Sequence, residues 1–321
     1  MKAWNLLKIS ENPVLTEVND PYIQDNHHVL ADISHSALNH RDVWIIKGKY
    51  PSVKTPCVLG SDASVTYESE KYVINPGMEW GEKNEFQSDT FHIIGMPHQG
   101  TFAEKIGVPK SSLYKIPEHL TMEEAAAIPL AGVTAYRALV TRAGAKRGDK
   151  VLVTGAGGGV SLWAIRFALA LGCEVYVTSG KQAKIEKAKT LGISGGVCTN
   201  EPDWHKLLMQ KSGGFDVIID SIMGNTLNLL IKMCNPGAKI SFYGAGAGNT
   251  TDFSPHILFW RQISLMGTTM GSPKDFSDMM EFIKQNKIKP VIDSVYPFSK
   301  LPEALERMET SAQFGKIILE H

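Results

Sequence analysis

No sign of charge dominates this sequence: 33 basic side chains meet 33 acidic ones across 321 residues. Such a balance creates no field to steer the chain onto nucleic acid or anionic lipid, so a polyanionic substrate is not expected. Cysteine is scarce as well. Cys57, Cys173, Cys198 and Cys234 lie far apart, and no pair has the C-x-x-C spacing of a zinc knuckle or redox centre. They read as small apolar filler in a reducing compartment, not as a disulfide framework. Long apolar runs are missing too. The opening MKAWNLLKIS lacks the apolar stretch and cleavage site of a secretory signal, and the most apolar helix candidate, 160–171, is shorter than a membrane span and contains Arg166. There is no internal repeat and no low-complexity tract. The sequence predicts a soluble, cytoplasmic protein, and its length with 43% apolar residues predicts two domains with cores of their own.

The first 118 residues are β-rich and irregular in texture. Short alternating runs at 28–33 and 71–74 are broken by Pro13, Pro21, Pro51, Pro56, Pro76, Pro97 and Pro109. The polar, Gly/Pro-punctuated segment 75–100 reads as a long surface loop. At Thr121 the texture changes: Thr121 and Glu124 make a capping-box pattern before a run of alanines, and Pro129 and Gly132 suggest that two helices meet. Beyond Gly148, strands (151–155, 174–178, 196–199, 216–220, 239–244, 263–268) alternate with helices (158–171, 181–191, 203–211, 225–234). Apolar strands of this kind describe a parallel sheet covered on both faces. An amphipathic helix at 275–286, a strand-like PVIDSVYPFS, a helix at 302–309 and a final GKIILEH are expected to fold back onto the first domain. The fold class is therefore α/β, a β-rich domain joined to a doubly wound parallel sheet.

Residues 150–161 read KVLVTGAGGGVS, an apolar strand, a glycine-dense turn and an apolar helix. Glycines let the backbone turn tightly and approach a pyrophosphate, whose charge is met by unpaired N–H groups at a helix start. Gly155, Gly157, Gly158, Gly159 and Val160 are the expected cradle, with Ser161 standing where a third spaced glycine belongs. The end of the second strand then separates the cofactors. An NAD site offers an acid there for the ribose diol. This chain offers Thr178, Ser179, Gly180 and Lys181, with Lys184 a turn later, while Glu174 starts the strand. Hydroxyls and lysines suit a 2′-phosphate, so NADPH is the expected cofactor; the other reading leaves the lysines as ordinary solvated helix residues.

The stretches ALNHRDVW (37–44), GKYP (48–51), VLGSDASV (58–65), AAAIPLAGVTAYRAL (125–139), VLVTGAGGGV (151–160), DVIIDSIMGNTL (216–227), FWRQISLMGTTMGS (259–272) and FGKIIL (314–319) carry a resemblance. Along essentially its whole length the chain resembles the zinc-independent, quinone-oxidoreductase-like branch of the medium-chain dehydrogenase/reductase family. That resemblance implies a GroES-like catalytic domain at 1–118, completed by 271–321, and a Rossmann NADP(H)-binding domain at 119–270. Zinc-using members hold the ion with a cysteine near 39–42, a G-H-E motif and a further cysteine or aspartate. Here those stretches read Asn39-His40-Arg41-Asp42 and Gly60-Ser61-Asp62, and the segment after the N-P-G turn has none of the four cysteines of a structural-zinc lobe. No metal is expected.

Alcohol oxidation near neutral pH leans on a metal to polarise the oxygen, so this chain suits an acceptor that is already electrophilic, a quinone or an α,β-unsaturated carbonyl. The resemblance implies Asn39 and Tyr50 on the substrate side and Arg261 near the cofactor, as candidate catalytic residues. Asn39 as a turn residue, Tyr50 as a core aromatic and Arg261 in a structural salt bridge are the alternatives. Thr134, Tyr136, Ser221, Met223, Tyr243, Gly244 and Ala245 are expected at the nicotinamide half, because ligands sit at the carboxyl ends of parallel strands. The apolar edge strand 263–269 predicts a homodimer. Two other functions stay open: a metal-assisted alcohol dehydrogenase and a low-turnover NADPH-binding redox sensor.

Overall fold

Alternating side chains in HVLADISHSA make a half-buried strand, and the computed structural model, which describes residues 1–23, 25–251 and 253–321, has it at His28–Ala37. Val29, Ala31 and Ile33 enter one core with Val65, Ile74, Ile106 and Val108. The register against the neighbouring strand Asp62–Tyr67 shifts between Ile33 and His35, and beyond this bulge the adjacent Ser36 and Ala37 are both buried. Ala37 pairs with Asp62 on that side. On another side the strand runs antiparallel to Lys316–Glu320, with Ile318 opposite Ala37 and Glu320 opposite His35. Extending this antiparallel register by two residues carries Lys316 up to Asn39.

A second core joins Leu6, Leu38, Ile45 and Phe102 to Leu301, Leu305, Ile317 and Leu319. Residues from both ends of the sequence thus close over one interior, and Met1–Val133 with Gly271–His321 forms one compact unit. This unit extends past the expected domain boundary at residue 118, because the helix Met122–Ala126 lies on the sheet and Ala127 packs with Ala37 and Ile318. The expected capping box is present: Glu124 N donates to Thr121 Oγ1 at 3.1 Å, and Thr121 N donates to Glu124 Oε2 at 3.0 Å. Gly132 does not interrupt the next helix, Pro129–Tyr136; a Cβ there would lie 2.9 Å from Met279 Sδ, so this glycine serves close packing. The segment 75–100 is more than a surface loop. Gly77–Met78 pairs with His92–Ile93, Trp80, Ile94 and Met96 are buried, and Trp80 meets Phe91 edge-on at 5.1 Å. Apolar side chains scattered at no period give no signal in the sequence.

The second unit is Thr134–Met270. Its six strands are all parallel and run in the order Gly195–Cys198, Glu174–Ser179, Lys150–Val153, Phe215–Asp220, Cys234–Phe242, Ser264–Gly267. Helices Gly159–Leu171, Gln182–Lys189, Trp204–Ser212 and Thr226–Lys232 lie between them where the alternation predicts. A further helix, Pro255–Trp260, is short and was not signalled by any apolar period. Leu152, Tyr176, Phe215, Ile218, Leu230 and Ile240 centre the core. Chain order reverses between the strands Lys150–Val153 and Phe215–Asp220, and the carboxyl ends at such a reversal form the crevice where parallel sheets take ligands. Ser264–Gly267 is the last strand on its side, with Leu265 exposed. No helix among the described residues is long and apolar enough to cross a membrane.

Candidate functional site

Two arrangements, one in each unit, stand out from the rest of the chain. In the Thr134–Met270 unit the strand Lys150–Val153 runs into Gly155 and Gly157, whose φ angles of +69° and +111° lie where side chains other than glycine are strained. Gly158 then caps the helix that begins at Gly159, leaving the first N–H groups of a 13-residue helix without intrahelical partners. Ala156 N donates to Thr178 O at 2.8 Å, which ties the turn to the neighbouring strand.

Ser161 is not a passive replacement for glycine. Its hydroxyl donates to Thr154 O at 3.0 Å and lies 3.3 Å from the Tyr243 hydroxyl. Thr154 Oγ1 donates in turn to Asp220 Oδ1 at 2.6 Å, and Asp220 Oδ2 accepts from Ile222 N at 3.1 Å and Met223 N at 2.8 Å. Burial pushes the Asp220 carboxyl up, while the bonds from Thr154 and the backbone pull it back. Burial likewise pushes the Tyr243 phenol up, against its hydrogen bonds to Ser161 and Ser221. Gly246 N donates to Ser221 O at 3.0 Å and Ala247 N to Ile222 O at 2.8 Å, so the turns holding Ser221, Met223, Tyr243, Gly244 and Ala245 are zipped together. Gly244 fits there because a Cβ would stand 3.3 Å from Ser221 O.

At the end of the second strand, Ser179 is buried, donates to Ala156 O at 3.4 Å and accepts from Lys181 N at 3.3 Å. A Cβ built on Gly157 would lie 2.7 Å from Lys184 Cδ and 3.2 Å from its Nζ, so the lysine stem runs along the glycine turn. Glu174 stands at the strand's opposite end, where its Oε1 accepts from the Tyr176 hydroxyl at 2.5 Å. Thr134 and Tyr136 are buried nearby in sequence: Thr134 Oγ1 is 3.8 Å from Met270 Sδ, and Tyr136 stands edge-on to Phe167 of the glycine helix at 5.7 Å. Arg261 is not brought to this end of the sheet. Its Nη1 donates to Cys234 O at 2.8 Å and Lys232 O at 3.3 Å, at the amino end of the strand Cys234–Phe242. Its neighbour in sequence, Gln262, turns through φ +54° into the edge strand, and one guanidinium nitrogen of Arg261 caps backbone carbonyls.

In the other unit Asn39 caps the helix His40–Ile46, and its N–H donates to Asp42 Oδ2 at 2.8 Å. Its carboxamide is held at both ends. Nδ2 donates to Asp62 Oδ2 at 2.9 Å, and Oδ1 accepts from Lys316 Nζ at 2.8 Å. The same ammonium donates to Asp62 Oδ2 and to Leu38 O, both at 2.8 Å. Asp62 Oδ1 accepts from Leu130 N at 2.8 Å. Gly60, with φ +91° and Phe102 Cδ1 only 2.5 Å from any Cβ it might carry, turns the chain into Asp62. Tyr50 is half-buried, and the Arg41 guanidinium lies 5.0 Å from its ring centroid while donating to Ser61 Oγ at 2.6 Å and Ile94 O at 2.9 Å. Burial pushes the Asp42 carboxyl up to about 6, with the Arg41 charge acting in the opposite direction.

In the sequence Asp62 stands only in a stretch that corresponds to zinc ligands of relatives, and Lys316 has no expected role. A lysine opening an otherwise apolar strand, GKIILEH, is the signal that could have found it, because a buried ammonium demands partners.

Two family models match the chain: an alcohol dehydrogenase GroES-like domain over residues 25–118 and a zinc-binding dehydrogenase over residues 159–285. A zinc-type alcohol dehydrogenase-like protein of Leptosphaeria maculans is 36% identical over 323 residues, covering 91% of this chain and 90% of that protein. Human (Homo sapiens) quinone oxidoreductase is 28% identical, covering 92% of this chain and 90% of its own. A crystal structure of an NAD-dependent alcohol dehydrogenase superposes with a TM-score of 0.92 at 32% identity, over the whole of both chains. The zinc in two of these descriptions can be tested on the donor set. Among the described residues no three His, Cys, Asp or Glu side chains are grouped to hold a metal. His40 is exposed and edge-on to Trp44, Asn39 Oδ1 and Asp62 Oδ2 already accept from the Lys316 ammonium, and Asp62 Oδ1 accepts from Leu130 N. These residues do not fit a zinc ion.

Proposed function

This chain belongs to the medium-chain dehydrogenase/reductase family, and on that premise we propose that it reduces a quinone or an α,β-unsaturated carbonyl with NADPH and without a metal ion. As a family member it is an oxidoreductase that takes a nicotinamide cofactor. The choice of NADPH rests on one observation: the Lys184 stem lies along Gly157, and no carboxylate ends the strand Glu174–Ser179. Gly155, Gly157, Gly158, Gly159 and Val160 would hold the pyrophosphate, with Ser179, Gly180 and Lys184 around the 2′-phosphate. Thr134, Tyr136, Ser221, Met223, Tyr243, Gly244 and Ala245 would line the nicotinamide half. Bound there, the cofactor supplies a hydride from its nicotinamide ring.

The chain's own contribution is binding, orientation and charge. Helix-start N–H groups meet a pyrophosphate without needing a side chain. An ammonium meets a phosphate as a charge-assisted pair. In the other unit, Asn39 Nδ2 carries two hydrogens, and the bond to Asp62 uses one. The second is a donor for the oxygen on which charge develops as an acceptor is reduced, the role of an oxyanion-hole amide. Tyr50 offers a phenol or a flat face to a planar acceptor. Arg261 has no part in this reading. A donor set unsuited to a metal favours acceptors that need no Lewis acid over alcohols.

Two further readings accompany this one. The strand Ser264–Gly267 would pair with its twin across a two-fold axis, and the exposed Leu265, Phe259 and Trp260 support a homodimer there. Four free, buried cysteines suit a reducing compartment such as the cytoplasm.

The deciding experiment follows absorbance of NADPH and of NADH against a panel of para-quinones and enones. Turnover with NADPH preferred by about tenfold or more in kcat/KM supports the proposal, on the scale of one charge-assisted contact. Equal use of NADH would remove the cofactor assignment. Loss of activity on chelation would favour a metal-assisted alcohol dehydrogenase, and tight NADPH binding without turnover would favour a redox sensor.

A further inference from the structure

We propose that Lys316 and Asp62 are positioning residues whose charges fix the orientation of the Asn39 carboxamide and strengthen its free N–H as a donor to the acceptor oxygen. The proposal rests on the reading of Asn39 given above. An asparagine amide has two ends of nearly equal shape, so only its partners decide which end faces where. Here the partners leave no choice. An ammonium has donors and no acceptor, so it must face Oδ1; an ionised carboxylate only accepts, so it must face Nδ2. Lys316 uses each of its three hydrogens, on Leu38 O, Asn39 Oδ1 and Asp62 Oδ2, all at 2.8 Å. Asp62 is held from the far side by Leu130 N at 2.8 Å. None of the three can turn without breaking a bond of another.

Stability alone does not account for the arrangement. The Lys316 and Asp62 side chains are 4% and 0% exposed. A buried ion pair of this sort loses much of its Coulombic gain to desolvation, and apolar residues of similar volume usually serve as well. What the pair adds is direction. A cation on Oδ1 draws electron density from the amide and strengthens the N–H opposite, while the carboxylate holds one N–H and so sets the heading of the other. The cation is supplied by the chain itself and bonds the oxygen end of the carboxamide, opposite the donor nitrogen. It therefore orients the group that meets the acceptor and does not meet it itself.

Lys316→Met alone leaves a buried carboxylate without its cation and is expected to fold poorly, so the working variant is Lys316→Met with Asp62→Asn, which removes both charges. Two readouts are taken on the full chain. In protein labelled with 15N-asparagine, the Asn39 side-chain amide, assigned by its loss in Asn39→Ala, should exchange slowly with solvent in the wild type and at least tenfold faster in the double variant. With NADPH and a para-quinone, kcat should fall by about 10-fold to 100-fold while KM for NADPH is unchanged, the scale expected when a donor is misplaced. Asn39→Ala should cost at least as much, and adding it to the double variant should cost little beyond Asn39→Ala alone. A folded double variant with wild-type kcat and wild-type amide exchange would overturn the proposal, as would losses that simply multiply. If Asn39→Ala itself leaves turnover intact, the donor role of Asn39 fails, and with it the proposed use of the pair. If the wild type reduces no acceptor, the proposed function fails while amide exchange still decides whether the pair fixes the amide.

Discussion

The proposed preference for NADPH rests on Lys184, and Lys184→Ala is the perturbation that isolates it. Its stem lies along Gly157, with Nζ 3.2 Å from where a Cβ would stand. A 2′-phosphate in its reach gains a charge-assisted hydrogen bond worth about 1.5–3 kcal/mol. At about 1.4 kcal/mol per factor of ten, losing it weakens NADPH by roughly 10-fold to 150-fold. NADH has no such phosphate, so its dissociation constant should move by less than about threefold. The assay is fluorescence titration of both cofactors at low and high salt, because screening at about 0.1 M and above shrinks any contribution from an exposed charge. Gly157→Ala is the control. Its φ of +111° and the 2.7 Å approach to Lys184 Cδ mean that any side chain distorts the turn itself, which should weaken both cofactors alike. Equal losses for NADPH and NADH in Lys184→Ala would leave the glycine turn assigned and refute the specificity reasoning.

Other consequences are equally open to measurement. Asp62→Ala strands the Lys316 ammonium among neutral acceptors, and urea denaturation should show a loss of about 3–5 kcal/mol; a loss under about 1 kcal/mol would mean that the pair is not buried as described. Ser161→Gly removes the bond to Thr154 O, so stability should fall by about 1 kcal/mol while NADPH affinity changes by less than about threefold; a tenfold change in affinity would make Ser161 a ligand rather than a packing residue. Asp42 has its pKa raised to about 6 in the folded chain against an ordinary carboxylate near 4. A raised acid destabilises the fold above its folded value and is relieved as pH falls toward the unfolded value, so the advantage of Asp42→Asn over wild type in denaturation should shrink between about pH 6 and pH 4. If that advantage grows instead, burial is not what sets the Asp42 proton. Sedimentation should give a dimer for the wild type and a monomer for Leu265→Lys; a wild-type monomer at micromolar concentration would end the edge-strand reading.

The glycine turn, the strand–helix alternation and the missing acid after Thr178 were legible in the amino-acid sequence, because each is a local pattern. Period, capping residues and turn glycines act over a few positions, and their physics needs no distant partner. That 39–42 and 60–62 correspond to ligand stretches of zinc-using relatives came from the family resemblance and not from any local period. Tertiary structure alone decided what those stretches do instead. Lys316 reaches Asp62 across 254 positions, and it arrives because the last strand pairs with the central one in a register that no local pattern encodes. Strand order decided that Arg261 caps carbonyls at the amino end of the sheet, far from the turns that gather Ser221, Met223 and Tyr243 at the other. Packing decided that Gly132 makes room for Met279 inside a helix, and that Ser161 feeds a chain of hydrogen bonds to Asp220. Local backbone preference names the elements; which side chains meet is settled by non-local pairing, where desolvation leaves a buried charge no choice but to find its partner.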